Sequence, residues 1–243
     1  YNLRKRSEYR KVRIVHEKTR PTKNMIGVRR KPDPQGQPGF IRIDTVHQGD
    51  QDGKKGLYHI NAVDEVTQFE VVFTVERISE HFIIPALAAL LETFPIQILG
   101  FHADNGSEYI NRRVAELLEK LRIELTKSRS RHCNDNALAE SKNAAVVRKT
   151  LGYSHIPQKF APQVNRFNQE HLVPYINYHR PCFFPEIITD AKGKQKKRYR
   201  YEHMTTPYEK LKSLPDAGSF LKPGLTFQSL DDIAYTTSDN EAA

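Results

Sequence analysis

Gly100-Phe-His-Ala-Asp-Asn-Gly-Ser-Glu-Tyr109 is the stretch whose reading decides the fold. Before it, Phe94-Pro-Ile-Gln-Ile-Leu-Gly-Phe101 is an apolar run that predicts a strand over 96–103. Asn105-Gly106 is a turn dipeptide. After it, Val114, Leu117, Leu118 and Leu121 recur at helical spacing. Strand, turn and helix in that order make an α/β unit with Asp104 at the strand's end, where such sheets gather ligand sites. A lone Asp-Asn-Gly can equally do no more than shape its turn through the Asp side chain. Asp104 has company, however, in Asp44 upstream and Glu140 downstream.

Working outward, Phe40-Ile-Arg-Ile-Asp-Thr-Val46 alternates, with Ile41 and Ile43 on one face and Arg42 and Asp44 on the other. Gly56 to Val63 and Gln68 to Val75 predict two more strands, and short connections make all three antiparallel neighbours. Ser79 is an N-cap for a helix carrying Leu87, Leu90, Leu91 and Phe94, which Pro85 either starts or kinks. Beyond the Asp104 turn and its helix, Ile123-Glu-Leu-Thr126 is a short strand and Lys127-Ser-Arg-Ser-Arg-His132 a basic loop. Asn134 or Asp135 caps a helix that Gly152 stops near Leu151. A helix over 161–178 follows, then a hairpin from Glu186 to Tyr201 that turns at Gly193, then a short helix from Thr206. The tail after Leu214 reads as polar, with no assigned element. The order β-β-β-α-β-α-β-α, then helix and hairpin, predicts an α/β sheet of mixed direction.

The 243 residues carry a formal net charge of +9, unevenly spread. Residues 1–31 hold twelve Lys and Arg against two Glu, so this arm carries the whole excess and the remainder is near −1. Basic arms of this kind meet polyanions, DNA foremost, and Arg4, Lys5 and Arg6 are its first candidate contacts; the other reading is a solvated tail. Three prolines and two glycines between Lys31 and Gly39 mark an extended linker. The start, without Met and resembling a helix under way, predicts a piece of a longer protein. No run of eighteen apolar residues and no signal peptide is present, so no membrane span is expected. Cys133 and Cys182 are too few for a disulfide framework or a zinc finger, and fit a reducing cytoplasm as inert packing. The division this suggests is 1–37 as a basic DNA-binding arm and linker, 38–180 as a core, and 181–243 as a basic hairpin extension and tail.

The three acids carry the chemistry. Glu140 shares a predicted helix face with Ala137, Ala144, Val147 and Leu151, on or beside the stripe that packs on the sheet. A carboxylate there needs a positive partner: a metal ion, or an ion pair with Arg148 or Lys142. Asp44 stands mid-strand, where Asp is disfavoured. Gathered acids repel one another and a divalent cation relieves that. Carboxylate oxygens without a His–Cys set suit Mg²⁺ or Mn²⁺ rather than zinc. Two such ions about 3.5–4 Å apart can clamp both oxygens of a phosphodiester displacement. The basic loop residues Lys127, Arg129 and Arg131, and the hairpin's Lys196 and Lys197, would hold backbone phosphates.

Ile43-Asp-Thr-Val-His47, His102-Ala-Asp-Asn-Gly-Ser-Glu-Tyr109 and Asn134-Asp-Asn-Ala-Leu-Ala-Glu-Ser-Lys-Asn143 resemble the catalytic core of bacterial insertion-sequence transposases and retroviral integrases. Thirty-five residues separate Asp104 from Glu140, as in the Asp, Asp-35-Glu signature of those families. The resemblance covers roughly 38–180. It implies an RNase H-like fold, a mixed five-stranded sheet flanked by helices, with the basic arm and the small C-terminal hairpin as additions. It implies that Asp44, Asp104 and Glu140 bind two Mg²⁺ ions. Water would first cut the element's end, and the freed 3′-OH would then attack target DNA. Bringing two ends together implies at least a homodimer, and the setting would be a bacterial cytoplasm, at the nucleoid. No His-His-Cys-Cys zinc domain is found, so the chain looks like the transposase branch; the helix-turn-helix usual upstream in that branch is absent, and the chain's start suggests that it was cut away.

Neighbouring residues have weaker claims. Asn136 and Asn143 share Glu140's face and could orient it, touch DNA or simply bond at the core's edge. Lys142 and Lys149 could meet phosphates or be solvated. His47 and His102 flank the acids in supporting roles. Two other functions use the same residues: an RNase H-like nuclease that only hydrolyses, and a DNA-binding adapter that keeps the fold without the chemistry.

Overall fold

The computed structural model describes residues 25–190 and 193–243. A two-residue strand, β1 (Val28–Arg29), leads to β2 (Phe40–His47), the strand that carries Asp44. A short finger, β3 (Asp50–Gln51) with β4 (Lys54–Lys55), precedes β5 (Tyr58–Asp64) and β6 (Glu70–Val75). β2, β5 and β6 pair antiparallel, as their short connections require. Helix α1 (Glu80–Thr93) leads to β7 (Gly100–Ala103), which runs parallel to β2 with Ala103 opposite Ile43. Helix α2 (Arg112–Lys120) then leads to β8 (Glu124–Lys127), parallel to β7.

The sheet order is β1-β8-β7-β2-β5-β6, so it has six strands where five were expected. The extra strand is β1, parallel to β8. Two residues are too short to show any alternation in sequence. Pro85, read as a start or a kink, lies inside α1 on an exposed position after the first turn, with the N-cap at Ser79.

The two faces of the sheet differ in chemistry. Ile41, Ile43, Ile60, Ala62 and Val71 pack on one side against Ile83, Leu87 and Leu90 of α1 and Val114 and Leu118 of α2. At roughly 1.5–3 kcal/mol for each large side chain taken out of water, this face supplies most of the stability. The other face carries Arg42, Asp44, Asn61 and Glu70, with a small apolar patch of Val46 and Val72. That patch is closed by Val146 and Val147 of α3 and Leu172 and Ile176 of α4. Here α3 is the helical stretch 133–151 and α4 the stretch 161–179.

α3 opens as a 3-10 turn (Cys133–Asn136), runs as α-helix (Ala137–Lys142), widens to a π segment (Asn143–Arg148) and ends at Leu151, before Gly152 at φ +72°. β9 (Pro185–Thr189) and β10 (Gln195–Tyr199) form the expected hairpin. The tail after Leu214 is not the plain polar segment its composition suggests. After α5 (Pro207–Lys212) come α6 (Phe227–Tyr235), opened by a Thr226–Ser229 capping box, and α7 (Asp239–Ala242). Leu221, Leu230 and Ala234 are buried with Tyr208 and Leu211 in the core that α1 shares. Two buried positions on a nine-residue helix leave too little periodicity to read. Among the described residues, no helix is long and apolar enough to cross a membrane.

Candidate active site

Parallel pairing of β2 with β7 puts Asp44 and Asp104 one step beyond the Ile43–Ala103 pair, side by side where β7 ends. Asp44 is half-buried. Its two carboxylate oxygens accept the Thr45 N–H at 2.8 Å and the Asn143 Nδ2–H at 2.7 Å. Burial pushes the Asp44 carboxyl up to about 6, and the charges of Asp104 and Glu140 push the same way against those two hydrogen bonds. The charges of Asp104 and Glu140 therefore reach Asp44 in the folded chain.

Asp104 is exposed on a loop braced at three points. Its Oδ1 accepts the Gly106 N–H at 2.8 Å. Tyr109, buried against Phe101, shares a hydrogen bond between its hydroxyl and that of Thr45, next to Asp44. Arg29 of β1 donates to Asn105 Oδ1 at 2.7 Å and to the Ser128 carbonyl at 3.1 Å. The extra strand thus reaches the acidic loop directly.

Glu140 is exposed and has no hydrogen bond or ion pair among the described residues. Its anticipated ion-pair partners are engaged elsewhere. Arg148 donates to the His47 carbonyl at 2.7 Å, and Lys142 lies against Glu70 and Cys182. The buried line of α3 is Asn136, Ala139, Lys142, Val146 and Val147, so the predicted stripe through Ala137, Glu140 and Ala144 was one position out of phase. Alanines on both sides made the apolar pattern degenerate, and the π segment buries two adjacent valines at once.

Glu140 is placed by what flanks it. Asn136 donates to the Ile43 carbonyl at 3.0 Å, and Asn143 to Asp44. Glu140 lies four residues after one and three before the other, spacings that share one side of a helix. Two asparagines thus clamp α3 to adjacent residues of β2, with Glu140 between the clamps.

Three residues of this arrangement were not read from the sequence. Asn61, opposite Asp44 on β5, donates to Asn143 Oδ1 at 2.9 Å, so a chain of bonds runs Asn61 to Asn143 to Asp44. A fully buried Asn inside His59-Ile-Asn-Ala-Val63 was the available signal. Arg42 donates a fork to Glu65, at 2.9 Å and 2.5 Å, and a third bond at 2.7 Å to the Asp135 carbonyl, where α3 begins. Glu70 is buried beside Lys142, whose Nζ stands 3.7 Å away, beyond hydrogen-bond range.

Burial pushes Glu70 up to about 7, more than Lys142 pulls it back. The folded chain therefore holds a proton there that the unfolded chain sheds above pH 4.5, and this contribution to stability is lost as pH rises from about 4.5 to 7. Glu70→Gln should accordingly gain stability relative to wild type across that window, by roughly 3 kcal/mol in urea unfolding. A difference between the two proteins that stays flat with pH would show Glu70 ionising as freely folded as unfolded.

The remaining candidates separate clearly. Lys142, read as a phosphate contact, is turned inward and donates to Cys182 Sγ at 3.2 Å. Lys127 is buried too, with its ammonium on the Ile26 carbonyl and its pKa lowered by desolvation. Arg129 forks onto Asp135 at 2.9 Å and 3.0 Å and holds that carboxyl well below the usual range. Arg131 and Lys149 are exposed, without a partner among the described residues. Lys196 lies 3.6 Å from Asp190 and Lys197 is exposed. His102 is a buried structural residue, bonded to Thr126 at 2.9 Å and pushed down to about 4 by burial. His47 points to the opposite sheet face from Asp44, stacked on Tyr58 and 3.1 Å from Asp50. Arg4, Lys5 and Arg6 lie outside the described residues.

A set of carboxylate oxygens, one of them held half-buried against the repulsion of two others, is the donor chemistry of a hard divalent cation. Among the described residues no group of three or more Asp, Glu, His or Cys side chains stands close enough together to hold a metal ion. Glu140, solvent-facing and unpaired, is the one of the three acids whose side chain no neighbour holds.

Residues 34–133 match the family model of the integrase core domain, a span that includes Asp44 and Asp104 and ends before Glu140. The chain is 30% identical over 163 residues to the uncharacterized protein y4rM of Sinorhizobium fredii, covering 67% of this chain and 47% of that protein, so it spans about half of its curated relative. It is also similar to a chain in the cryo-EM structure of the simian T-cell lymphotropic virus intasome in complex with PP2A regulatory subunit B56 gamma. There the TM-score is 0.50 at 17% identity, over 90% of this chain and 68% of that one. At that identity the likeness is one of fold, and the mixed sheet flanked by helices is RNase H-like.

Proposed function

We propose that this chain, with its integrase core at 34–133, is a DNA transposase that cuts the ends of a mobile element and joins them to target DNA through Asp44, Asp104 and Glu140. The observation that supports this reading is the double clamp of α3 on β2, with Glu140 between the two clamps and Asp44 on the clamped strand.

Asp44, Asp104 and Glu140 would hold Mg²⁺ or Mn²⁺. A pair of such ions supplies positive charge to the attacking and leaving oxygens of a phosphodiester. The chain's own contribution is placement. Thr45 and Asn143 fix both Asp44 oxygens, while the Tyr109 and Arg29 braces fix the Asp104 loop. Cleavage and joining then differ only in the nucleophile, water in the first and a DNA 3′-OH in the second, with the proton lost from that oxygen and a 3′ oxygen leaving in each. Arg131 and Lys149, exposed on the loop before α3 and near its end, would meet phosphates. Two ends joined to one target require two such sites, hence at least a dimer.

Incubating the protein with DNA that carries the ends flanking its own gene, a target duplex and Mg²⁺ should yield nicked ends and joined products. Nicks without joined products would favour the nuclease that only hydrolyses. Binding with no cleavage in Mg²⁺ or Mn²⁺ would favour the adapter.

A further inference from the structure

The hairpin β9–β10 has chemistry that the acidic site does not use. It reads as a basic ribbon, and two of its basic residues are paired internally. Lys196 pairs with Asp190, and Arg200 is held between Glu186 at 3.2 Å and Glu202 at 2.9 Å. Lys194, Lys197 and Arg198 remain exposed, without an ion pair among the described residues.

What the ribbon does present is aromatic. Tyr201 is 84% exposed, Tyr199 56% and Phe183 38%. The Phe183 ring lies 5.3 Å from that of Tyr201 and 6.4 Å from that of Tyr199, edge to face. Lys197 pairs across the ribbon with Ile187 and shares its face with Tyr199. Rings that touch one another but leave this much surface in water are not core.

The ribbon's base is fixed. Cys182 and Thr205 exchange backbone hydrogen bonds at 2.8 Å and 3.2 Å, and Cys182 Sγ accepts the bond from Lys142, two residues from Glu140 on α3. The aromatic cluster therefore grows from a point anchored to the helix that carries the third acid.

Duplex DNA offers phosphates on the outside and bases already stacked on each other, so a ribbon reading duplex would rely on net charge. An unpaired strand offers free base faces along with its phosphates. Exposed rings interleaved with unpaired lysines match the second partner.

We propose that Phe183, Tyr199 and Tyr201, with Lys197, form a stacking platform for unpaired DNA. This rests on the reading of the chain as a protein that acts on DNA, and names the state of the DNA it holds: a strand end freed from its complement.

The test uses the full chain without divalent metal, so that binding is separated from cleavage. The probes are a blunt duplex and the same duplex with a single-stranded tail containing 2-aminopurine, whose fluorescence is quenched by stacking. Wild type should bind the tailed probe more tightly and quench it. Tyr199→Ala with Tyr201→Ala should lose on the order of tenfold in tailed-probe affinity for each ring and leave blunt-duplex affinity unchanged. Tyr199→Phe with Tyr201→Phe keeps the rings and should behave as wild type, which separates stacking from a folding defect. Equal losses on both probes, or tail binding without quenching, would overturn the platform. Unchanged DNA affinity with a shift in oligomeric state by sedimentation would also overturn it, and would assign the rings to a contact between copies. A chain that binds tails in this way but never joins ends would keep the platform while losing the transposase reading.

Discussion

Glu140→Gln should cut both cleavage and joining by roughly a thousandfold, the upper range for loss of one charge-stabilising group. The substitution keeps shape and one oxygen but removes the charge. Both reactions should fall together because they share one set of acids. DNA binding should persist or strengthen, since Arg131 and Lys149 are untouched and a negative charge is gone. Without metal the variant should be at least as stable as wild type, because Asp44 loses one of the two charges that oppose its ionisation. With Mg²⁺ added, wild type should gain more thermal stability than the variant. Near-normal joining at saturating Mg²⁺ would remove Glu140 from the site.

The second large effect concerns a residue that supports the acids without being one of them. Arg42 is buried, and it ties the strand of Asp44 both to Glu65 and to the Asp135 carbonyl at the start of α3. Arg42→Met fills the space but leaves a carboxylate and a carbonyl without their donor. The expected cost is about 3 kcal/mol in urea unfolding, the low end for a broken buried pair, since Glu65 keeps some contact with water. Arg42→Lys should recover only part of it, because an ammonium cannot serve the fork and the third bond in the same geometry. Stability within 1 kcal/mol of wild type for Arg42→Met, a limit of about one ordinary hydrogen bond, would mean that α3 is held by the asparagine clamps alone.

Asp44 and Asp104 were legible because each breaks a local rule: an acid amid β-branched residues, and an acid where a strand turns. The helix holding Glu140 was legible too, but its phase was not, since Ala137, Ala139, Ala144 and Ala145 weigh almost equally on either side. Lys127 and Lys142 misled for a different reason. A lysine's letter carries no information on whether its ammonium finds a partner distant in sequence. Here one found the Ile26 carbonyl and the other settled against Glu70 and Cys182. The helix α6 was hidden because its apolar positions match residues spread across the whole chain, among them Tyr208 and Leu211, rather than a strong stripe of its own.

Arg29 has a consequence for how such a centre can be inherited or transplanted. The loop that carries Asp104 is steadied by a residue ahead of the 34–133 stretch, and the acid that completes the set, with the asparagine that binds Asp44, follows it. The stretch that matches the family model is therefore smaller than the set of residues that holds the three acids in place. A graft limited to it would carry two of the three acids proposed to act together and neither outer support, so on that reading exchange between relatives has to move both flanks together.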